Sequence, residues 1–168
     1  KLVLLRAYQI ALVRFGDPNT RTIKMIIAEL EPQFPAPVFE QNWLLCETLA
    51  FLQAPSTATK AMELLLAAPT QEEQIEYARS LRMLKAGWNK KLRTSYFNWF
   101  LKAANYRGGA SFSKFIEFIR NDAVASLSKE EQTEFKNLLS KKPESKTPFE
   151  IMAEAMIGRK YVKQWTLD

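Results

Sequence analysis

Apolar residues recur every three or four positions along most of this chain, the spacing that places side chains on one face of an α-helix. No stretch alternates apolar and polar residues with the period of two that marks a half-buried strand, so we predict little or no sheet and an all-α fold. The groups with helical spacing are Leu5, Tyr8, Leu12 and Phe15; Ile23, Ile26, Ile27 and Leu30; Ala58, Ala61, Met62, Leu65 and Leu66; Ile75, Ala78, Leu81 and Leu84; Leu92, Tyr96, Trp99, Phe100 and Ala103; Phe112, Phe115, Ile116, Ile119 and Ala123; and Phe135, Leu138 and Leu139.

One further segment, from about Phe39 to Leu52, is apolar nearly all round. A helix without a polar face must be packed on several sides to leave water. We therefore predict that this third helix is central. Its apolar residues are Trp43, Leu44, Leu45, Cys46, Leu49 and Phe51.

Glycine and proline separate these helices. Gly16 ends the first helix, and Asp17-Pro18 supplies an N-cap residue followed by proline at the first position of the second helix. Prolines 32, 35 and 37 remove backbone donors and form a connector. Gly87 is predicted to end the fifth helix. Further breaks fall at Ala54-Pro55-Ser56, Pro69 and Arg107-Gly108-Gly109.

Polar residues mark where the later helices begin. Thr70 with Glu73, and Ser128 with Glu131, fit the capping box, in which hydroxyl and carboxylate satisfy free backbone donors reciprocally. Ser111 can cap the seventh helix. The run 141–146 is a polar loop, Thr147-Pro148 starts a short helix to about Met156, and the tail from Gly158 is predicted to be extended.

The breaks recur at irregular but similar intervals, and each unit of two helices spans roughly 30–45 residues, the range of helical-repeat proteins. We therefore predict stacked antiparallel helix pairs, as in a HEAT-like α-solenoid or right-handed superhelix, with a compact irregular bundle as the alternative. Residues 1–140 would form the helical-repeat domain. Residues 141–168 would form a short helix plus a C-terminal linker towards a downstream domain.

Composition excludes several kinds of active site. The chain contains no histidine, which removes histidine general bases, histidine-dependent triads, histidine metal ligands and the usual haem ligand. The single cysteine, Cys46, cannot form an internal disulfide or a thiolate metal site and is predicted to be an inert core thiol. No signal peptide or membrane-spanning run is recognisable. We expect no catalytic centre, and no cofactor, in this chain.

The net charge of +6 raises the question of an acidic or nucleic-acid partner. Cations and aromatic residues interleave between residues 88 and 107, and this region is the candidate interaction surface. In the preferred interpretation Tyr96 and Trp99 join Leu92 in the core, while the cations lie opposite and are solvated. The candidate surface residues are Trp88, Lys90, Lys91, Arg93 and Arg107, and the same interleaved region contains Lys102 and Tyr106.

Three other groups have a structural and a chemical interpretation. The acidic clusters 72–76 and 130–134 could bind a metal or exchange protons, but both lie in first helical turns, where negative charge offsets the helix dipole. The glycine turn at 107–111 could bind an anion, but a tight connection is the simpler interpretation. Arg120 and Asp122 are predicted to be buried partners that lock two helices together.

Several segments resemble the helical, HEAT-like region of the haem-binding, membrane-bound dehydrogenase-like proteins (propeller, HEAT region, cytochrome c) of Planctomycetes and Bacteroidetes. The similarity covers most of the chain. The matching segments are Leu44 to Pro55, Ala68 to Ala78, Leu81 to Trp88, Tyr106 to Phe112, Ile119 to Ala123, and Gly158 to Trp165.

This resemblance implies a non-catalytic spacer or docking platform between redox domains of a larger protein exported to the periplasm or cell surface. A dehydrogenase-like propeller would precede it, and a cytochrome c-like domain with the haem would follow. These flanking domains are the expected partners, without membrane insertion and with nucleic acid unfavoured. The chain has no histidine and no cysteine pair, so the resemblance transfers no catalytic or haem-ligating residue.

Two rival functions remain open from the residues. The first is a nucleic-acid-binding HEAT-like module that uses the basic and aromatic region 88–107 in one concave groove. The second is a small-molecule enzyme that uses glutamate, arginine and tyrosine alone, which would require a pocket that gathers those groups.

Overall fold

The computed structural model describes residues 2–16, 18–143 and 148–157. Within these ranges the chain is helical and has no strand, which confirms the all-α prediction. The elements are α1 (Leu2–Phe15), α2 (Thr20–Leu30), a 3-10 helix (Glu31–Gln33), α3 (Phe39–Phe51), α4 (Thr57–Ala67), α5 (Gln71–Leu81), α6 (Lys90–Ala103), α7 (Phe112–Ala125), α8 (Lys129–Glu134), α9 (Lys136–Leu139) and α10 (Pro148–Ile157).

None of the helices in these ranges is both long enough and apolar enough to cross a bilayer. The predicted cap Asp17, the loop residues 144–146, the helix start at Thr147 and the tail from Gly158 lie outside the described residues.

Contacts among seven of the described helices define two rows. In the first row α1 packs against α3, α3 against α5, and α5 against α7. In the second row α4 packs against α6, and α6 against α9. Contacts between the rows join α3 to α4, α4 to α5, and α6 to α7. One hydrophobic core runs through both rows, from Leu5 in α1 to Leu127 just after α7.

Helix α3 lies at the centre, as its apolar surface predicts. It contacts α1, α2, the 3-10 helix, α4 and α5. Cys46 and Leu49 are completely buried, and even its polar residues Asn42 and Thr48 are buried. Asn42 fixes the proline-rich connector, because its Oδ1 accepts from Ala36 N at 2.6 Å and its Nδ2 donates to Ala36 O at 2.8 Å. The connector therefore enters α3 at one defined position.

The predicted helix starts are partly correct. Ser128 and Glu131 form the complete capping box, and Thr70 Oγ1 accepts from Glu73 N at 3.3 Å. Ser111 occupies an N-cap position, but its side chain makes no cap hydrogen bond. The prediction that Pro18 is the first residue of α2 is wrong. Asn19 is the N-cap residue and accepts from Thr22 N at 2.9 Å, so Pro18 precedes the helix.

The structure also differs from the prediction where the apolar stripe of a helix is wider than the surface of the neighbouring helices that covers it. Phe15, Leu66 and Phe115 were predicted to face the core, but all three are exposed. The predicted eighth helix is interrupted at Phe135, whose side chain is buried between α8 and α9. Helical spacing identifies a face, but it does not tell how much of that face a neighbour covers.

Gly87 does not end α5, which stops at Leu81; instead it lies in the loop before α6. Its φ is 75°, a region that side chains disfavour, and a Cβ atom there would lie 1.7 Å from Pro55 O. Glycine is thus required at this position because the loop touches the backbone of the α3–α4 turn. Gln53 holds the same two loops together by accepting from Lys85 N at 2.8 Å and donating to Met83 O at 3.0 Å.

We expect Gly87→Ala to lower the free energy of unfolding by about 2–4 kcal/mol, because positive φ and a backbone clash add. Gly16→Ala is the matched control, since Gly16 has a φ of 76° but nothing within 4 Å of its would-be Cβ. That control should lose only about 1–2 kcal/mol. Urea unfolding measures both variants, and equal losses would contradict the close approach.

Candidate interaction surface

The candidate surface residues do not all reach the surface. Lys90, Lys91 and Arg107 are exposed and Trp88 is half-buried, but Arg93 is only 1% exposed. The expectation that the cations lie opposite the core and are solvated is therefore wrong for Arg93. Helical spacing predicts a solvated face at Arg93, but α8 folds back over the first turns of α6 and covers it.

Arg93 is held between an aromatic ring and a carboxylate. Its guanidinium carbon lies 4.3 Å from the centroid of the Trp88 ring, and its Nε donates to Glu131 Oε1 at 3.2 Å. Its Nη1 is buried with no hydrogen-bond partner among the described residues. Burial lowers the pKa of Arg93, and the charge of Glu131 opposes that effect. This arginine therefore fastens α8 to α6.

A second ion pair joins the same two helices at the surface. Lys90 Nζ lies 2.7 Å from Glu134 Oε1, and both side chains are largely solvated. Glu131 has two roles, since it accepts from Ser128 N in the capping box at 2.9 Å and also pairs with Arg93. The acidic cluster 130–134 thus includes helix-capping groups, as predicted, together with partners for the cations of α6.

The aromatic residues of this region belong to the core, as the preferred interpretation states. Tyr96 OH donates to Ala78 O at 2.7 Å, and its burial raises the pKa of its phenol. Trp99 Nε1 donates to Gln74 Oε1 at 3.0 Å, and Tyr106 OH donates to the same oxygen. Gln74 is a buried hub that the sequence analysis missed, because a glutamine in a first helical turn has no distinctive spacing.

The glycine turn that starts at Arg107 is attached to the start of α5. Gln71 Nε2 donates to Arg107 O at 2.6 Å, and Arg107 N donates to Gln71 Oε1 at 3.1 Å. Gly108 lies against the ring of Phe112, where a Cβ would come within 2.2 Å of ring carbon. These contacts favour the tight-connection interpretation over an anion site.

Arg120 and Asp122 are not partners of each other, so that prediction is wrong. Arg120 is half-buried and donates to Leu139 O at the end of α9. Asp122 is exposed and pairs with Arg82 at 3.0 Å. Side chains two positions apart on a helix diverge by about 200°, so each reaches a different neighbour.

The other acidic cluster also has structural partners. Glu72 and Glu73 lie in the first turn of α5, as the helix-dipole argument predicts. Glu76 pairs with Arg79 at 2.8 Å, and Arg79 reaches Glu47 of α3 at 3.3 Å. Among the described residues no group of three or more histidine, cysteine, aspartate or glutamate residues is arranged to hold a metal ion.

Two adjoining clefts open on either side of Phe51, a half-exposed residue at the end of α3. The larger, about 770 Å³, lies against α1, and the smaller, about 690 Å³, lies against α2 and the end of α5. Arg6, Arg14 and Glu47 line the larger cleft beside apolar side chains. This surface was missed because Phe51 follows the buried residues of α3 without any break in the apolar pattern.

Cys46 is completely buried in α3, as predicted. Burial raises the pKa of its thiol from 9.0 to about 12, and the nearby Glu47 carboxylate adds to this rise, while a hydrogen bond from Ser80 opposes it. A thiol that stays protonated far above neutral pH is a poor nucleophile.

No protein family, curated protein or solved structure matches this chain.

We expect Glu131→Gln to destabilise the chain by about 1–3 kcal/mol, because it leaves the buried Arg93 charge unpaired. The breaking of a fully buried pair costs roughly 3–5 kcal/mol, and the smaller value here reflects the partial solvation of Glu131. Glutamine still serves the capping box. Glu134→Gln, which breaks the exposed pair with Lys90, is the control and should cost about 0.5 kcal/mol or less. Equal effects in urea unfolding would mean that Arg93 is not buried.

Stability should also fall at alkaline pH through Cys46. Above pH 9.0 the unfolded thiol loses its proton while the folded thiol keeps it up to about pH 12, so rising pH lowers the free energy of the unfolded state relative to the folded state. By about pH 10 the free energy of unfolding should have fallen by about 1.4 kcal/mol more than that of Cys46→Ala. Urea unfolding of both proteins between about pH 8 and about pH 10 measures the difference. Parallel pH profiles would contradict it.

Proposed function

We propose that this chain is a non-catalytic helical-repeat segment that holds neighbouring domains of a larger protein at a fixed separation. The observation that carries this proposal is the single core that links α1 to α7 through both rows. A core that continues from helix to helix resists bending between them, because any hinge would expose apolar surface to water.

The order of contacts supports a HEAT-like α-solenoid over an irregular bundle. Most of the contacts join a helix to the next or to the next but one, as in α3–α4, α3–α5, α4–α5 and α4–α6, while α6–α9 skips α7 and the short helix α8. In solenoids each repeat contacts only its neighbours, so the stack extends in one direction. On this proposal α8 and α9 together occupy one position of the second row.

Polar contacts between consecutive members of a row support a stiff array. Gln9 of α1 donates to Glu47 Oε2 of α3 at 3.1 Å, and Arg79 of α5 reaches the other oxygen of Glu47 at 3.3 Å. Arg82, at the end of α5, pairs with Asp122 of α7 at 3.0 Å. Each contact favours one rotation of a helix against the next, although these partly solvated pairs contribute at most about 1 kcal/mol each.

The resemblance described above supplies the context of the proposal. The neighbours would be a dehydrogenase-like propeller and a cytochrome c-like domain, in a protein exported to the periplasm or cell surface. The haem would belong to the cytochrome domain, and this segment would set the distance between the two redox domains.

Nucleic-acid binding is less well supported than this scaffold. That function needs the cations between residues 88 and 107 in one groove. Arg93 is instead buried between Trp88 and Glu131, and Lys90 is paired with Glu134. Acidic residues of α8 thus lie where a phosphate backbone would have to approach.

A linker replacement tests the scaffold. Propeller and cytochrome domains are joined either through this chain or through a Gly/Ser linker with the same number of residues. The end-to-end distance of that linker would be distributed around roughly 70 Å. We expect the chain to give one narrow inter-domain distance by electron paramagnetic resonance, and the linker to give a broad distribution with a different rate of electron transfer between the domains.

Two substitutions in the helical segment serve as controls. Leu49→Asp places a charge in the core of α3 and should broaden the distance. Leu66→Asp changes an exposed leucine on α4 and should leave the distance narrow. Unchanged spacing and unchanged electron transfer with the flexible linker would end the proposal.

A further inference from the structure

The cleft between α1 and α3 is an apolar surface with a cationic rim. Ile10, Val13 and Phe51 line it, and Val13 is 84% exposed. Arg6 and Arg14 line the same cleft, and α1 contains no acidic residue. Glu47 also lines it, but its two carboxylate oxygens already contact Gln9 and Arg79. An apolar helix with acidic residues fits this chemistry.

The same chain carries such a helix at its other end. In α10 the side chains of Phe149, Met152, Met156 and Ile157 are all exposed. The first three have the spacing i, i+3 and i+7, which places them on one face and is the pattern of a helix that binds in a groove. The sequence of α10, PFEIMAEAMI, includes two glutamates and no lysine or arginine.

The structure leaves both surfaces uncovered by their own chain. Val13 in the cleft is 84% exposed, and Ile157 at the end of α10 is 87% exposed. Helix α10 makes no extensive contact with another described helix. Because α10 of the same chain does not occupy the cleft, we take a second copy of the chain as the source of the helix.

We propose that α10 of one copy docks in the α1–α3 cleft of another copy, with its apolar face on Val13 and Phe51. The two surfaces are different, so the contact is heterologous and joins copies head to tail. The opposite charges of the two sequences favour this orientation. High salt screens these charges and should therefore weaken the contact. This inference is independent of the scaffold proposal.

Self-association at increasing concentration tests the contact. Sedimentation equilibrium should give an average mass that rises above the 19.4 kDa of one chain. Val13→Asp should abolish the rise by placing a charge in the cleft, and Met152→Asp should abolish it by placing a charge on α10. Both positions are exposed, so both variants should fold. Leu66→Asp, which alters an exposed leucine on α4, should associate like the unaltered chain.

Mixing the two defective variants gives the decisive result. The Val13→Asp chain keeps an intact α10, and the Met152→Asp chain keeps an intact cleft. An equimolar mixture should therefore form a dimer and no larger species, although each variant alone is monomeric. A monomeric mixture would overturn the head-to-tail contact, and so would an unaltered chain that stays monomeric at every concentration or a single variant that still associates.

Discussion

The burial of α3 is the constraint on which the rest of the structure depends. This helix has almost no polar face, so it must be covered on several sides, and α1, α2, α4 and α5 cover most of it but leave Phe51 at its end half-exposed. Leu49 and Cys46, on this helix, are completely removed from water. Because α3 belongs to the first row and also contacts the second, the two rows are assembled around it.

Polar groups inside the stack fix the relative positions of the helices. Asn42 holds the proline-rich connector by both atoms of its amide, and Gln74 gathers the donors of Trp99 and Tyr106 on one oxygen. Arg93 fastens α8 through Glu131. A buried polar group without its partner costs free energy, so each of these contacts penalises any other arrangement of the helices.

The same arrangement bears on function. Three groups that could do chemistry have structural roles: Tyr96 donates into the core, Glu131 caps a helix, and the buried Cys46 stays protonated. What the described residues leave available is surface, above all the clefts around Phe51 and the apolar face of α10. Both proposals are built on these surfaces and on the continuous core.

The sequence by itself determined most of the helices and their order, because helical spacing, proline and glycine act within a few residues. It also predicted the central position of α3. The tertiary structure decided which charges are buried and which apolar residues stay exposed. Arg93 was expected in solvent and lies in the core, whereas Leu66 was expected in the core and lies in solvent. Both outcomes depend on where distant helices pack, and no local pattern in the chain contains that information.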